Sequence, residues 1–400
     1  MRTSIRFNIS ILIYFLGSTL LSGQETIDFE KYFFQGIENP KLNDDSNISE
    51  LKTSWIDKAE IRTETDEFDF DRQRYAFRVT PSSKKVNNAM HSLMDAYASK
   101  YSDLKAFSEN SNLKIAYSNT IKAYQSELQL QSKRELLKVI KDQDKVYKKL
   151  LDTKNSYTVR WLDVQKDISE LEVDIYEVNK RKTILTGQEV LIDWSSIIGI
   201  NTIQESLIRL SASQITNPSK TEYQTDQRII DQEIQLEEAE SKNYFDFLQV
   251  DYKGPGGDPL QERISLTAAF QLPIMDNKTK LKLAELRNKK VEIALEENIE
   301  NSERKIDTQN ILDELTIMIE VYNMRINAIE KMKTNSQKII DSYQAYSDPN
   351  PLFLLQQKEM IIKEEIEIAE TKGDIIEAYI DYLEETGLIY LKPYKNYLTK

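Results

Sequence analysis

The fold is decided by residues 264–273, which read ISLTAAFQLP. Apolar and small polar side chains alternate along this stretch, with the period of two that is typical of a β-strand having one apolar face. Pro273 ends the stretch and is well placed to start a helix, because the first helical turn does not use the N–H that proline lacks. No Gly or Pro follows until Pro349, which predicts a very long helix.

The same junction occurs earlier in the chain, at Pro81. An alternating stretch leads up to it, and no Gly or Pro lies between Pro81 and Gly187. The chain therefore repeats one plan, in which a β-hairpin is followed by long helices. The second long run also shows the strict three-four spacing of a coiled-coil seam, at Leu312, Leu315, Ile319, Tyr322, Ile326 and Ile329.

Each long run breaks about 70 residues after its proline, at 151–156 and at 347–351, and a new amphipathic run follows. We interpret each break as the tip of an αα-hairpin. The arm after Pro351 carries two adjacent apolar stripes, one through Ile362, Ile376 and Leu383 and the other through Ile361, Ile375 and Tyr382. Two stripes indicate either neighbours on both sides, as in a ring of helices, or one broad core face.

The two predicted hairpins, 59–80 and 245–273, have the period of transmembrane barrel strands, although a soluble hairpin packed on a helix is the alternative. Four strands cannot close a barrel, and open edges would leave backbone groups unpaired in lipid. The edges therefore predict an oligomer, and three copies would supply twelve strands, an even number in the usual range. The predicted lipid-facing residues are Tyr75, Phe77, Val79, Leu248, Val250, Tyr252, Ile264, Leu266 and Phe270.

Composition excludes several functions. The 400 residues contain no Cys and one His, and carry a net charge of −13. We therefore expect no thiolate or histidine metal site, no cofactor, no catalytic site and no nucleic-acid partner. Residues 1–23 have the basic start and short apolar core of a secretory signal, with a retained anchor as the alternative.

The order of these features resembles the TolC-type outer-membrane efflux proteins. The likeness rests on the helix after Asn217-Pro218 and the strand and proline at 264–273. It rests also on the tip at 343–351 followed by LFLLQQ, and on AYIDYLEETG at 378–387. It covers nearly all of the chain after the signal.

The resemblance implies a mainly α fold with β, in which a long α-helical coiled-coil barrel continues a trimeric, twelve-stranded transmembrane β-barrel. It implies a passive exit duct in the outer membrane of a Gram-negative bacterium, extending into the periplasm and served by a periplasmic adaptor and an inner-membrane pump. Tip residues that narrow the pore would be Asp152, Thr153, Asp348 and Pro349, although capping and turn chemistry is the simpler and favoured explanation of the two aspartates. The expected parts are a signal at 1–23, a leading segment at 24–58, a hairpin at 59–80, a helical hairpin at 81–186, an equatorial belt at 187–216, a helix at 217–244, a hairpin at 245–273, a helical hairpin at 274–388 and a tail at 389–400.

Two features depart from the family pattern: the tips lack glycine, and Thr63 and Thr65 make the outer face of the first hairpin weakly apolar. A periplasmic or surface coiled-coil scaffold without a pore shares the long helices. It does not require the paired alternating strands or the repeat from Pro81 to Pro273. A periplasmic adaptor would need far more β-structure, and an exported hydrolase would need a nucleophile–base pair, which the sequence does not show.

Overall fold

A computed structural model describes most of the chain after the N-terminal region. The residues described are 26–35, 56–64, 73–151, 157–186, 191–210, 220–242, 245–253, 264–270, 277–344 and 351–399. The signal predicted at 1–23 and the tip residues Asp152, Thr153, Asp348 and Pro349 lie outside them.

The described residues form six strands and seven α-helices. In chain order they are β1 (Thr26–Asp28), α1 (Phe29–Gln35), β2 (Ile56–Glu64), β3 (Arg74–Pro81), α2 (Lys84–Leu151), α3 (Thr158–Thr186), β4 (Leu191–Asp193), α4 (Ile200–Leu210), α5 (Lys220–Ser241), β5 (Phe245–Lys253), β6 (Ile264–Phe270), α6 (Asn277–Gln344) and α7 (Pro351–Glu385), with a short 3-10 turn at Leu388–Tyr390. The prediction of a mainly α chain with some β-structure is confirmed.

The two longest helices, α2 and α6, have 68 residues each and are therefore about 100 Å long. Helix α2 begins just after Pro81, where the Ser83 hydroxyl accepts a hydrogen bond from the Val86 N–H at 3.2 Å. This contact caps one of the N–H groups that the first helical turn leaves unpaired. The absence of Gly and Pro then lets the helix continue to Leu151.

The two β-hairpins join into one antiparallel sheet with the strand order β2-β3-β5-β6. Strands β3 and β5 meet at its centre and come from the two different halves of the chain. The sheet therefore brings the repeated units together at the ends of α2, α5 and α6.

The helices form a row in the order α3, α2, α7 and α6, which we call the helical row. The two stripes of α7 are both buried, with Ile376 and Leu383 of one and Ile375 of the other fully enclosed. Helix α7 thus has neighbours on both sides, which decides between the two interpretations of its stripes. Nearer the sheet, α5 rather than α7 lies between α2 and α6.

A cluster of buried side chains near the middle of the long helices, which we call the belt core, joins distant parts of the chain. It contains Phe29 and Phe33 of α1, Tyr117 of α2, and Leu315 and Ile319 of α6. Around it, β1 pairs in parallel with β4. Residues 191–210, the described part of the segment predicted at 187–216, therefore pack together with residues from both ends of the described chain.

The C-terminal segment is fastened to the belt core by hydrogen bonds. The Tyr117 hydroxyl donates to the Lys395 carbonyl at 2.7 Å and accepts from the Tyr397 N–H at 3.1 Å. The Ile198 N–H donates to the Leu398 carbonyl at 2.6 Å. Burial raises the pKa of Tyr117, so its hydroxyl stays protonated and remains a donor.

Candidate membrane sheet and helical row

The strand register divides the four-stranded sheet into two chemically different faces. Side chains on one face come from alternate residues of each strand, aligned in three rows across the sheet. None of the twelve carries a charge at neutral pH: Ala59, Ile61, Thr63, Tyr75, Phe77, Val79, Leu248, Val250, Tyr252, Ile264, Leu266 and Ala268. We call this the apolar face.

Most of the residues predicted to face lipid are exposed on the apolar face. Leu266 and Ile264 are 71% and 66% exposed, and Phe270, one step further along β6, is 70% exposed. Tyr75, Phe77, Leu248, Val250 and Tyr252 are also exposed, and only Val79 is half-buried. Ile61, which is 75% exposed, belongs to the same face. It alternates with charged neighbours in the sequence, and this pattern could have identified it as a lipid-facing residue.

The opposite face of the sheet, which we call the charged face, is crossed by ion pairs. The Arg74 guanidinium lies 3.2 Å from the Asp251 carboxylate on the next strand, and the Arg78 guanidinium lies 3.5 Å from the centre of the Phe247 ring. Both oxygens of Asp251 also accept hydrogen bonds from the Gln249 amide. The ionisable residues of this face are Lys58, Glu60, Arg62, Glu64, Arg74, Arg78, Asp251 and Lys253.

The sheet and the helical row both have two open edges. Within the described residues, β2 and β6 each pair with a strand on one side only, so each has backbone donors and acceptors left over. In the helical row, exposed apolar side chains follow the outer sides of the end helices. On α3 they are Val159, Leu162, Val173, Tyr176 and Ile184, and on α6 they are Val291, Leu295, Ile299, Ile306, Ile317 and Met324.

Ion pairs and hydrogen bonds fix α7 against both of its neighbours. Toward α2, the Lys114 ammonium lies 2.8 Å from the Glu384 carboxylate. Toward α6, Arg304 lies 3.0 Å from Glu385, and Lys333 lies 2.6 Å from Glu365. These contacts fix the position of α7 relative to α2 and α6.

Comparison with solved structures gives extensive matches at low sequence identity. The structure of CusC, a protein studied for its folding and transmembrane channel formation, matches with a TM-score of 0.65 and 9% identity, covering 94% of this chain and 95% of that one. The open-state MtrE outer-membrane channel of Neisseria gonorrhoeae matches with a TM-score of 0.58 and 11% identity, covering 90% and 88%. A membrane protein from Pseudomonas aeruginosa matches with a TM-score of 0.57 and 11% identity, covering 90% and 93%.

The protein has the outer-membrane channel fold. This agreement over nearly the whole chain confirms, at the level of the fold, the resemblance to the TolC-type proteins. No family model matches the sequence, and no curated protein matches it in sequence. The outer-membrane channel fold is therefore preserved here by the pattern of side chains rather than by their identity.

Within this outer-membrane channel fold, described helices end before each predicted tip and begin after it. Helix α2 ends at Leu151 and α7 begins at Pro351, so the two breaks in the sequence do separate helices. Asp144 lies about two helical turns before the end of α2 and accepts hydrogen bonds from Trp161 and Gln165 of α3. Sequence reasoning missed Asp144, because its partners are 17 and 21 residues away and belong to the next helix.

The described residues show neither a metal centre nor a helix suited to crossing a bilayer. In that part of the chain no group of three or more His, Asp or Glu side chains is placed to hold a metal ion. None of its helices combines the length and the apolar character needed to span a membrane.

Proposed function

We propose that the protein is the outer-membrane exit duct of a tripartite efflux or secretion system. In this proposal it is a homotrimer that passively conducts substrates from an inner-membrane pump and a periplasmic adaptor, across the periplasm and the outer membrane of a Gram-negative bacterium. It performs no catalysis and needs no cofactor.

The observation that carries the proposal is the division of the sheet into an uncharged and a charged face. A soluble sheet packed on a helix covers its apolar face, whereas Ile61 and Leu266 are more than two-thirds exposed here. An apolar exterior and a polar interior are what a membrane barrel requires. Tyr75 and Tyr252, whose ring centres are 6.4 Å apart, lie at the hairpin end of the apolar face, where a barrel would place an aromatic girdle.

The open edges support the trimer. A four-stranded sheet in lipid leaves the backbone of β2 and β6 unpaired, and each unpaired group costs several kcal/mol. Rotational repetition joins β2 of one copy to β6 of the next and at the same time covers the apolar sides of α3 and α6. Three copies make a barrel of twelve strands, an even number in the usual range.

The tips of the helical hairpins are the proposed docking ends for the adaptor. In the sequence, Asp152 and Thr153 follow α2, and Asp348 and Pro349 precede α7. In a trimer each aspartate position occurs three times, and a ring of three carboxylates would attract cations and repel anions.

Fractionation and conductance test the proposal. The wild-type protein is expressed with its signal, and the outer membrane is separated from the periplasm. We expect trimers in the outer membrane that resist detergent and dissociate on heating, and we expect the purified trimers to conduct ions in planar bilayers. A soluble periplasmic monomer would refute the proposal, while trimers that do not conduct would favour a scaffold.

A further inference from the structure

An open groove of about 310 Å³ lies between α4 and α6, beside the belt core. Its floor is apolar, with Leu207 from α4 and Leu312 and Ile319 from α6. Its rim on α6 is acidic, with Asp313 and Glu320. The full lining is Gln204, Leu207, Ile208, Leu312, Asp313, Thr316, Ile319, Glu320 and Asn323.

The acidic rim of the groove adjoins the open edge of the helical row. With 3.6 residues per turn, Asp313 and Glu320 lie about 40–60° around α6 from Ile317. Ile317 and Met324 on that edge are 60% and 62% exposed. Any helix that covers the edge therefore also overhangs the groove.

The opposite edge of the row presents a complementary surface at the same height. The Tyr32 hydroxyl donates to the Leu185 carbonyl at 3.2 Å, which places the end of α3 beside the belt core. Ile319, in the floor of the groove, belongs to that same core. On the outer side of α3 at this level, Ile184 is 79% exposed, and Lys180 lies one turn before it.

We propose that the groove is the socket for the belt end of α3 from the adjacent copy of the chain. The Ile184 side chain enters above Leu312, and the Lys180 ammonium lies against Asp313 and Glu320. An apolar anchor in a pocket with opposite charges on its rim is the usual composition of an interface centre. The inference rests on the proposed trimer, and it adds the register in which neighbouring copies meet.

Cysteine cross-linking tests the register, since the chain has no native Cys. The variant carries Ile184→Cys and Thr316→Cys, the latter at a groove position whose hydroxyl donates only to its own helix, at the Leu312 carbonyl. Oxidation in the outer membrane should give covalent dimers and trimers. The matched control, Val159→Cys with Thr316→Cys, should stay monomeric on denaturing gels, because 25 helical residues, or about 38 Å, separate the two α3 positions.

A charge exchange tests the rim independently of cysteine chemistry. Lys180→Glu should reduce the fraction of trimer that survives a fixed heating step by a factor of about two to five, the range of an exposed ion pair. Adding Glu320→Lys should restore it. Wild-type trimers that conduct, combined with absent 184–316 cross-links and no rescue, would overturn the socket and leave the proposed function standing. Absence of wild-type trimers would overturn both.

Discussion

Asp144 shows how one side chain holds the first helical hairpin together near its tip. Its carboxylate accepts hydrogen bonds from the Trp161 indole at 2.8 Å, from the Gln165 amide, and from the Lys148 ammonium at 2.7 Å. Burial acts to raise the pKa of Asp144, but these hydrogen bonds outweigh burial and hold the pKa below its ordinary value of 3.8. The carboxylate is therefore bound in its charged form, and α3 is bound through it.

We predict that Asp144→Asn lowers the free energy of unfolding by about 1–3 kcal/mol, because the donors lose a charged acceptor and face an amide NH₂ instead. The exchange of backbone amides at the start of α3 should become faster, as measured by hydrogen–deuterium exchange. Asp142→Asn is the matched control: its carboxylate pairs with the exposed Lys145 of its own helix, at 2.8 Å. Equal effects of the two substitutions would contradict the assigned role.

The charge of the tip can be tested at Asp348. If three copies of this carboxylate line the pore, Asp348→Asn should lower the preference for cations over anions, measured as a shift of the reversal potential in planar bilayers. Asp341→Asn is the control, because it removes the same charge from an exposed position on α6, seven residues earlier in the sequence. Unchanged selectivity would assign Asp348 to turn chemistry instead.

Strand β6 allows the two faces of the sheet to be compared at adjacent residues. Leu266 lies on the apolar face and Thr267 on the charged face, opposite Gln249, and both are exposed in the single chain. We predict that Leu266→Lys destabilises the membrane-inserted trimer by about 2–4 kcal/mol, whereas Thr267→Lys costs little. The yield of heat-modifiable trimer in the outer membrane measures both, and a reversed order would place the apolar face toward the pore.

Period and spacing were enough to predict the elements and faces that depend on local sequence. The alternation in 264–273 placed Leu266 and Phe270 correctly on one side of β6, and the three-four spacing found the buried Leu315 and Ile319. These signals are local, because a strand or helix shows the same pattern wherever it packs.

Contacts between distant segments could not be read in this way. The pairing of β3 with β5 joins residues about 175 positions apart, and the parallel pairing of β1 with β4 joins residues about 165 apart. The bonds of Asp144 to the next helix and the groove beside Glu320 likewise depend on how whole helices are placed. Such features need the three-dimensional arrangement, because several partners of equal chemistry occur along the chain.

The belt core joins distant segments of the whole molecule at one level. Residues near the start of the described chain, such as Phe29, and residues near its end, such as Leu398, are both completely buried there. The two halves of the repeat also meet there, through Tyr117 of α2 and Leu315 of α6. Because both halves and both ends of the described chain are packed at one level, the belt core holds the two repeats together.

The carboxyl groups of the helices predict how stability depends on pH. Burial raises the pKa of Asp381, Glu385 and Glu240 above their ordinary values of 3.8 and 4.5. Their ionisation at neutral pH therefore opposes folding, and this cost is relieved as the pH falls through their raised pKa values. Glu109 has a lowered pKa, chiefly because of its hydrogen bond from Lys392, and the pKa of Asp144 is lowered as well. The stabilisation from these two carboxylates is present at neutral pH and is lost only when the pH falls below their ordinary pKa values of 4.5 and 3.8.

We therefore predict that the melting temperature of the trimer rises as the pH is lowered through the raised pKa values of these carboxyl groups, and falls again below about 4, where the paired carboxylates are protonated. Circular dichroism of the purified trimer measures it. Asp381→Asn removes one of the opposing charges, so this variant should melt higher than the wild type near pH 8 and gain less on acidification. A wild-type melting temperature that falls steadily from pH 8 downward would show that the paired carboxylates, rather than the half-buried ones, control the pH response over the whole range.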